Sequence, residues 1–481
     1  MKKLLVLVAF LTAPILAAVN LDVHKEVLMN GLTVLLYPNS QAPTVSCRLF
    51  YVTGSVHEVP GKSGLAHILE HELFKGTKKV GIQDSVADER FLRMEDLMQA
   101  YIRSAKNAGD TASVRRLKAQ HDSLLNEHRK LFVKDELWGA YQAAGGTGLN
   151  AFTSDLMTAY IVTLPKNKIE LFMWLEADRM QNAVLREFYS ERDVVREERR
   201  MRYDDKPTGR YYETLNSMIY EAFPYRVPTI GWPSDIENLT REMAEEHYRK
   251  YYKPRNAILV LAGDLDTAST MALVKKYFGN VPSGDVFPPL TVRDPEQAGE
   301  KRLVVRRPDA PNIYTLVFKT PEVGDKILYP LDIVEGVLNG RSGKLYKRLV
   351  EQEKLAVSVG ASNSPNKYVS EFSIQVNMRP DADPAKVEAA IWDELEKIKK
   401  EPVSEREFQK VKNHAYAALV RSLTDMENVA TMLAYYEMFG DYKFFLNWAD
   451  ELDKVSVDDV QDAAKTTFVK EKSITGMLLK K

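Results

Sequence analysis

A chain of 481 residues exceeds what one hydrophobic core ordinarily serves, so two domains or more are expected. Its 66 Lys and Arg against 67 Asp and Glu leave a formal charge of −1, which removes the electrostatic case for a nucleic-acid partner or an anionic membrane surface. The single cysteine, Cys47, excludes an internal disulfide and reads as a packed thiol.

The chain opens with Lys2 and Lys3, an apolar run from Leu4 to Leu11, Pro14, and the small pair Ala17-Ala18. That pattern predicts a secretory signal peptide over residues 1–18. No later run of about 20 apolar residues occurs, so no membrane span is expected in the mature chain. Strand-like runs follow from Glu26 to Gly31, Leu32 to Tyr37 and Val45 to Val52, with Asn30-Gly31 as a hairpin signal.

Residues 67–71 then read His67-Ile68-Leu69-Glu70-His71. On a helix the two histidines stand at i and i+4, so both imidazoles project from one face and can share one Zn²⁺. Glu70 lies beside such a metal rather than on it, where a carboxylate can take a proton from a zinc-bound water. Ile68, Leu69, Leu73 and Phe74 supply a buried side, and Lys75-Gly76-Thr77 a cation and a helix-ending glycine.

Between about 85 and 142, Leu92, Leu97, Met98, Ile102, Leu117, Leu124 and Leu131 recur at helical intervals amid charge. This predicts an inserted helical hairpin turning near Asn107-Ala108-Gly109-Asp110. Asn150 to Thr163 reads as one strand, and helices are expected over Ile169–Gln181 and Glu187–Tyr203. In the second of these, Glu191 and Glu198 are seven apart and share a face. A catalytic zinc takes three protein ligands, so Glu198 is a candidate third ligand and Glu191 an acid that orients the site. Glu197 is the rival ligand if the helix is rotated. Ala257 to Ala262 reads as a buried strand, Ala268 to Phe278 as a helix, and 282–300 as a linker.

The second half repeats the plan. Arg302–Arg306 and Ile313–Lys319 are predicted strands, and Pro330 to Leu338 falls where the histidine helix would be. In register, Asp332 takes the place of His67, Glu335 that of Glu70 and Gly336 that of His71. Without imidazoles this copy cannot build the same metal site. The expected fold is α+β: two similar halves, each an antiparallel-rich sheet packed with helices. The boundaries are 19–281 for the half with the metal and 301–481 for the half without.

Three strings carry a resemblance to the insulinase/pitrilysin family of zinc peptidases, in particular to its half-length bacterial branch related to the mitochondrial processing peptidase. They are Gly64 to His71 continuing through Phe74-Lys75-Gly76-Thr77, Gly145 to Ser154, and Glu191 to Glu198. The H-x-x-E-H order is the inverzincin signature. The resemblance implies His67, His71 and Glu198 as ligands of one Zn²⁺ per chain, Glu70 as catalytic base and Glu191 as supporting acid. It also implies that Asn150 and Ala151 lie on an edge strand, near Thr147–Thr153 and including Thr153, that holds an extended substrate backbone. The implied activity is endoproteolysis of peptides or unfolded segments, by a homodimer or a heterodimer with a related subunit, in a bacterial periplasm or outside the cell. The alternative is a non-proteolytic, substrate-holding subunit of such an assembly. Two departures stand out: Glu198 lies 127 positions after His71, a longer gap than in relatives, and Leu156 stands where relatives carry an acid.

Overall fold

The computed structural model describes residues 21–287 and 289–481. Residues 1–18, read above as a signal peptide, lie outside the described residues. Among those described, no helix is long and apolar enough to cross a membrane.

The first sheet is built from β1 (His24–Val27), β2 (Thr33–Pro38), β3 (Thr44–Tyr51), β4 (Thr147–Thr153), β5 (Thr158–Pro165) and β6 (Ala257–Gly263). Its order is β1-β2-β6-β3-β5-β4, with only β2 and β6 parallel. The second holds β7 (Lys301–Arg307), β8 (Ile313–Thr320), β9 (Ala356–Ser364), β10 (Ser370–Met378) and β11 (Ser473–Lys480), ordered β7-β11-β8-β10-β9. Its one parallel pair is β7 with β11. Without β1, the first sheet therefore has the plan of the second, strand for strand. The α+β fold of two similar halves is the one observed.

One predicted strand is two. The run from Asn150 to Thr163 breaks between β4 and β5 because Leu156 and Met157 leave the ladder and bury in a core shared by both halves. Leu156, 3% exposed, thus serves packing at the position that departs from the family resemblance.

The halves exchange helices. The helix Met426–Phe439 lies over β3 and β6, burying Val429, Ala430 and Leu433 against Phe50, Ile258 and Val260. The helix Pro207–Ile219 packs on β11 in return. Tyr211 donates to Thr315 at 2.9 Å, and Gly476 leaves the room that Tyr211 and Leu215 occupy. This reciprocal burial fixes one half against the other.

The inserted hairpin consists of helices Ser85–Asn107 and Thr111–His128, capped by Asp84 and Asp110. Its base docks through a buried chain of alternating charge. His128, fully buried, bonds Glu95 at 2.7 Å and Asp88 at 2.9 Å while stacked on Phe91. Asp88 also meets Arg186 at 3.0 Å, and Glu95 meets Arg241 at 3.1 Å. Arg186 donates to the carbonyls of Lys75, Thr77 and Val80, in the turn that follows the histidine helix. The hairpin is thereby tied to the segment that leaves the candidate site.

Candidate metal centre

The histidines sit on the helix Leu65–Glu72. Leu65, Ala66, Ile68 and Leu69 are buried, which turns His67, Glu70 and His71 to the opposite, half-open face. Gly64 has no side chain to cap this helix, and Glu58 does so from the preceding loop, accepting from the backbone of Gly64 at 2.8 Å and Ala66 at 2.7 Å. Gly64 sits at φ +94°, and a Cβ there would lie 2.8 Å from the Ile230 carbonyl, so only glycine suits the helix start.

The helix Phe188–Arg199 brings the acids. Glu198 Oε2 lies 3.7 Å from His67 Nε2 and 3.8 Å from His71 Nε2, and the three donor atoms fall within 4.8 Å of one another. These separations exceed hydrogen-bonding reach, so the donors face a common gap. Ligands on a tetrahedral zinc, with bonds of about 2.0–2.2 Å, stand roughly 3.3–3.6 Å apart. The two carboxylate-to-imidazole separations lie a few tenths of an ångström outside that range. Two imidazoles and one carboxylate also match the donor set of a catalytic zinc that keeps a fourth position open. The residues present therefore fit the ion. Glu197, the rival, points to the exposed face and pairs with Arg200 at 2.6 Å.

The surroundings set the protonation of each group. Burial, with His71 and Arg202 nearby, pushes the His67 imidazole down to about 3, which keeps its lone pair free. For His71, burial works against the charged form, but the bond to Glu191 and the nearby Glu70 and Glu198 outweigh it and raise its pKa. Glu191 accepts from His71 Nδ1 at 3.1 Å and from Lys75 at 2.7 Å, so it fixes the ring that presents Nε2 to the gap. Burial raises the Glu70 carboxyl above the usual range, opposed by a 2.6 Å bond from the Thr153 hydroxyl and by His71.

Thr153 is thus a partner of Glu70, a contact the sequence does not suggest. Asn150 and Ala151 lie on β4, the outer strand of its sheet beside the histidine helix. The free edge of β4 is a template on which an extended chain can add backbone hydrogen bonds. Two further residues escaped the sequence reading. Lys75 looked like a helix-ending cation but bridges Glu191 and Glu187. Arg202 binds the outer oxygen of Glu198 at 2.9 Å, leaving the inner one to the histidines. Only a correct helix phase beyond Arg199, where the turn widens to a π-helix, could have signalled it.

The degenerate half repeats one detail. Glu335, on the helix Leu328–Leu338, accepts from the backbone of Asn363 on edge strand β9 at 2.9 Å, much as Glu70 accepts from Thr153 on edge strand β4. Where His71 would stand, Gly336 admits Val411, whose Cγ1 fills the place of a Cβ. Helix packing occupies the place of the second imidazole there.

Comparison with known proteins agrees with this architecture. Residues 33–89 match the family described as Insulinase (Peptidase family M16), and residues 238–414 match the Peptidase M16 inactive domain. The zinc protease PqqE of Helicobacter pylori is 28% identical over 484 aligned residues, covering 98% of this chain and 96% of its own. The crystal structure of a protease from Helicobacter pylori superposes with a TM-score of 0.80 at 26% identity, over 95% of this chain and all of that one. The periplasmic protease PqqL of Escherichia coli superposes at 0.72 with 18% identity, and this chain spans 48% of its length.

Proposed function

The chain belongs to the insulinase family, peptidase family M16, and from that premise we propose that it is a zinc-dependent endopeptidase acting on peptides or unfolded polypeptide segments. The observation that carries the proposal is the convergence of His67, His71 and Glu198 beside an unligated Glu70. One zinc held by those three residues would polarise a carbonyl and acidify a water. Glu70, held by Thr153, takes the proton of the attacking water and delivers it to the departing amine. Burial suits it to the first of those steps, because a carboxylate whose pKa is raised is the stronger base. Glu191 and Lys75 keep His71 in one ring orientation throughout. The free edge of β4, at Asn150 and Ala151, aligns the substrate backbone without reading its side chains.

The chain has half the length of the Escherichia coli protease whose fold it shares. A second subunit, identical or related, would supply the facing wall of the substrate chamber. Export to a periplasm or beyond belongs to the same proposal. A substrate-holding, non-proteolytic subunit is the alternative, and the inactive-domain match over residues 238–414 is the observation that favours it.

A quenched-fluorescence peptide assay separates the two. Chelation is expected to abolish cleavage and stoichiometric Zn²⁺ to restore it. Cleavage indifferent to chelator, or none with zinc bound and a partner subunit added, contradicts the peptidase reading.

A further inference from the structure

Behind the helix that carries Glu191 and Glu198, the inserted hairpin encloses a cavity of about 370 Å³. Ile102 and Lys106 line it from the first hairpin helix, Lys118 and Leu125 from the second, and Arg192 and Arg196 from the helix Phe188–Arg199. The cavity exists only because the hairpin is there.

Its cations are poorly neutralised. Lys106 meets Glu237 at 3.5 Å and Arg129 meets Glu187 at 3.3 Å, both on the cavity wall or beside it. Among the described residues, Lys118, Arg192 and Arg196 have no carboxylate within 4.0 Å, although Asp122 and Asp193 also line the cavity. Arg192 spends one bond on the Leu239 carbonyl and lies over the Tyr189 ring. Close to it, Arg103 has a buried guanidinium nitrogen, Nη1, with no hydrogen-bond partner. Burial, with Arg103 and Arg196 close by and despite Asp193, lowers the Arg192 pKa, as expected where positive charge is crowded. The hairpin elbow, residues 103–118, adds Arg115 and Arg116 and carries one acid, Asp110.

We infer that this cavity binds a phosphate-bearing small molecule, gripped by Arg192 and Arg196 on one wall and Lys118 on the other. Guanidinium forks match phosphate oxygens in pairs, and the volume suits a small phosphorylated compound. A ligand here bridges the hairpin to the helix that presents Glu198, so it would brace the metal centre from behind.

Isothermal titration of the full chain with pyrophosphate tests this without zinc or peptide cleavage, so its failure leaves the peptidase reading untouched. Saturable one-to-one binding is expected. Lys118 and Arg196 are both exposed, so K118Q/R196Q should fold and should weaken binding at least about tenfold. R115Q/R116Q, which changes exposed elbow cations outside the cavity wall, should change it less than about twofold. No saturable binding, equal loss in both double variants, or binding to phosphatidylglycerol vesicles but not to pyrophosphate would overturn the assignment. The last outcome would make the elbow a membrane-facing surface.

Discussion

Glu70→Gln is expected to lose at least about two orders of magnitude in turnover while keeping its zinc. Glutamine has the same shape and can still accept the Thr153 hydroxyl, so the local packing survives. It cannot carry a proton between water and leaving group. The metal is unaffected because Glu70 is not among the three donors that converge on the gap. Initial rates on a quenched peptide, with metal content measured on the same sample, check both halves of the expectation. A variant that cleaves at near the parent rate removes Glu70 from the base role.

His128→Ala should lower stability by roughly 3–5 kcal/mol, the usual cost of leaving buried charges without their partner. Asp88 and Glu95 would each keep one arginine but lose the cation shared between them. Burial disfavours the imidazolium, yet the bonds to Asp88 and Glu95 outweigh it and raise the His128 pKa. The sign of the pH dependence follows. Stabilisation from the charged form is complete below the unfolded pKa of about 6.5 and fades as pH climbs through the higher folded value. Urea unfolding of both proteins across that range should show the gap between them narrowing at alkaline pH. A gap that widens there means that His128 is held neutral.

These two residues mark what the sequence can and cannot convey. The i, i+4 spacing of His67 and His71 and the apolar residues between and around them specify a helix with one chemical face, so that part is legible locally. Glu198 against Glu197 is not decided locally. Of the adjacent apolar residues Val194 and Val195, Val195 is fully buried and Val194 is 49% exposed. That difference sets the helix phase and sends Glu198 to the histidines. The inserted hairpin is legible from its periodicity and from Gly109 at the turn. Its docking is not, because Asp88, Glu95 and His128 read as ordinary surface charge until the fold brings Arg186 and Arg241 against them. The break between β4 and β5 was hidden for a related reason. Leu156 and Met157 look like strand residues, and only the other half of the molecule supplies the core that draws them out of the ladder.

The repeat of one sheet plan in the other is faint in sequence because Asp332 and Gly336 stand where the histidines would, so no shared motif marks the second copy. Val411 fills the space above Gly336, and the acids Asp332 and Glu335 are both bonded to Asn363 on edge strand β9. The exchange of helices between halves left no signal beyond the strongly apolar character of Met426–Phe439.

Anomalous diffraction at the zinc edge, from crystals of the zinc-loaded protein, tests the metal centre most directly. One strong peak per chain is expected, about 2.0–2.2 Å from His67 Nε2, His71 Nε2 and an oxygen of Glu198, with Glu70 outside bonding distance. A peak that omits Glu198, or one that has Glu70 as a ligand, would contradict the account.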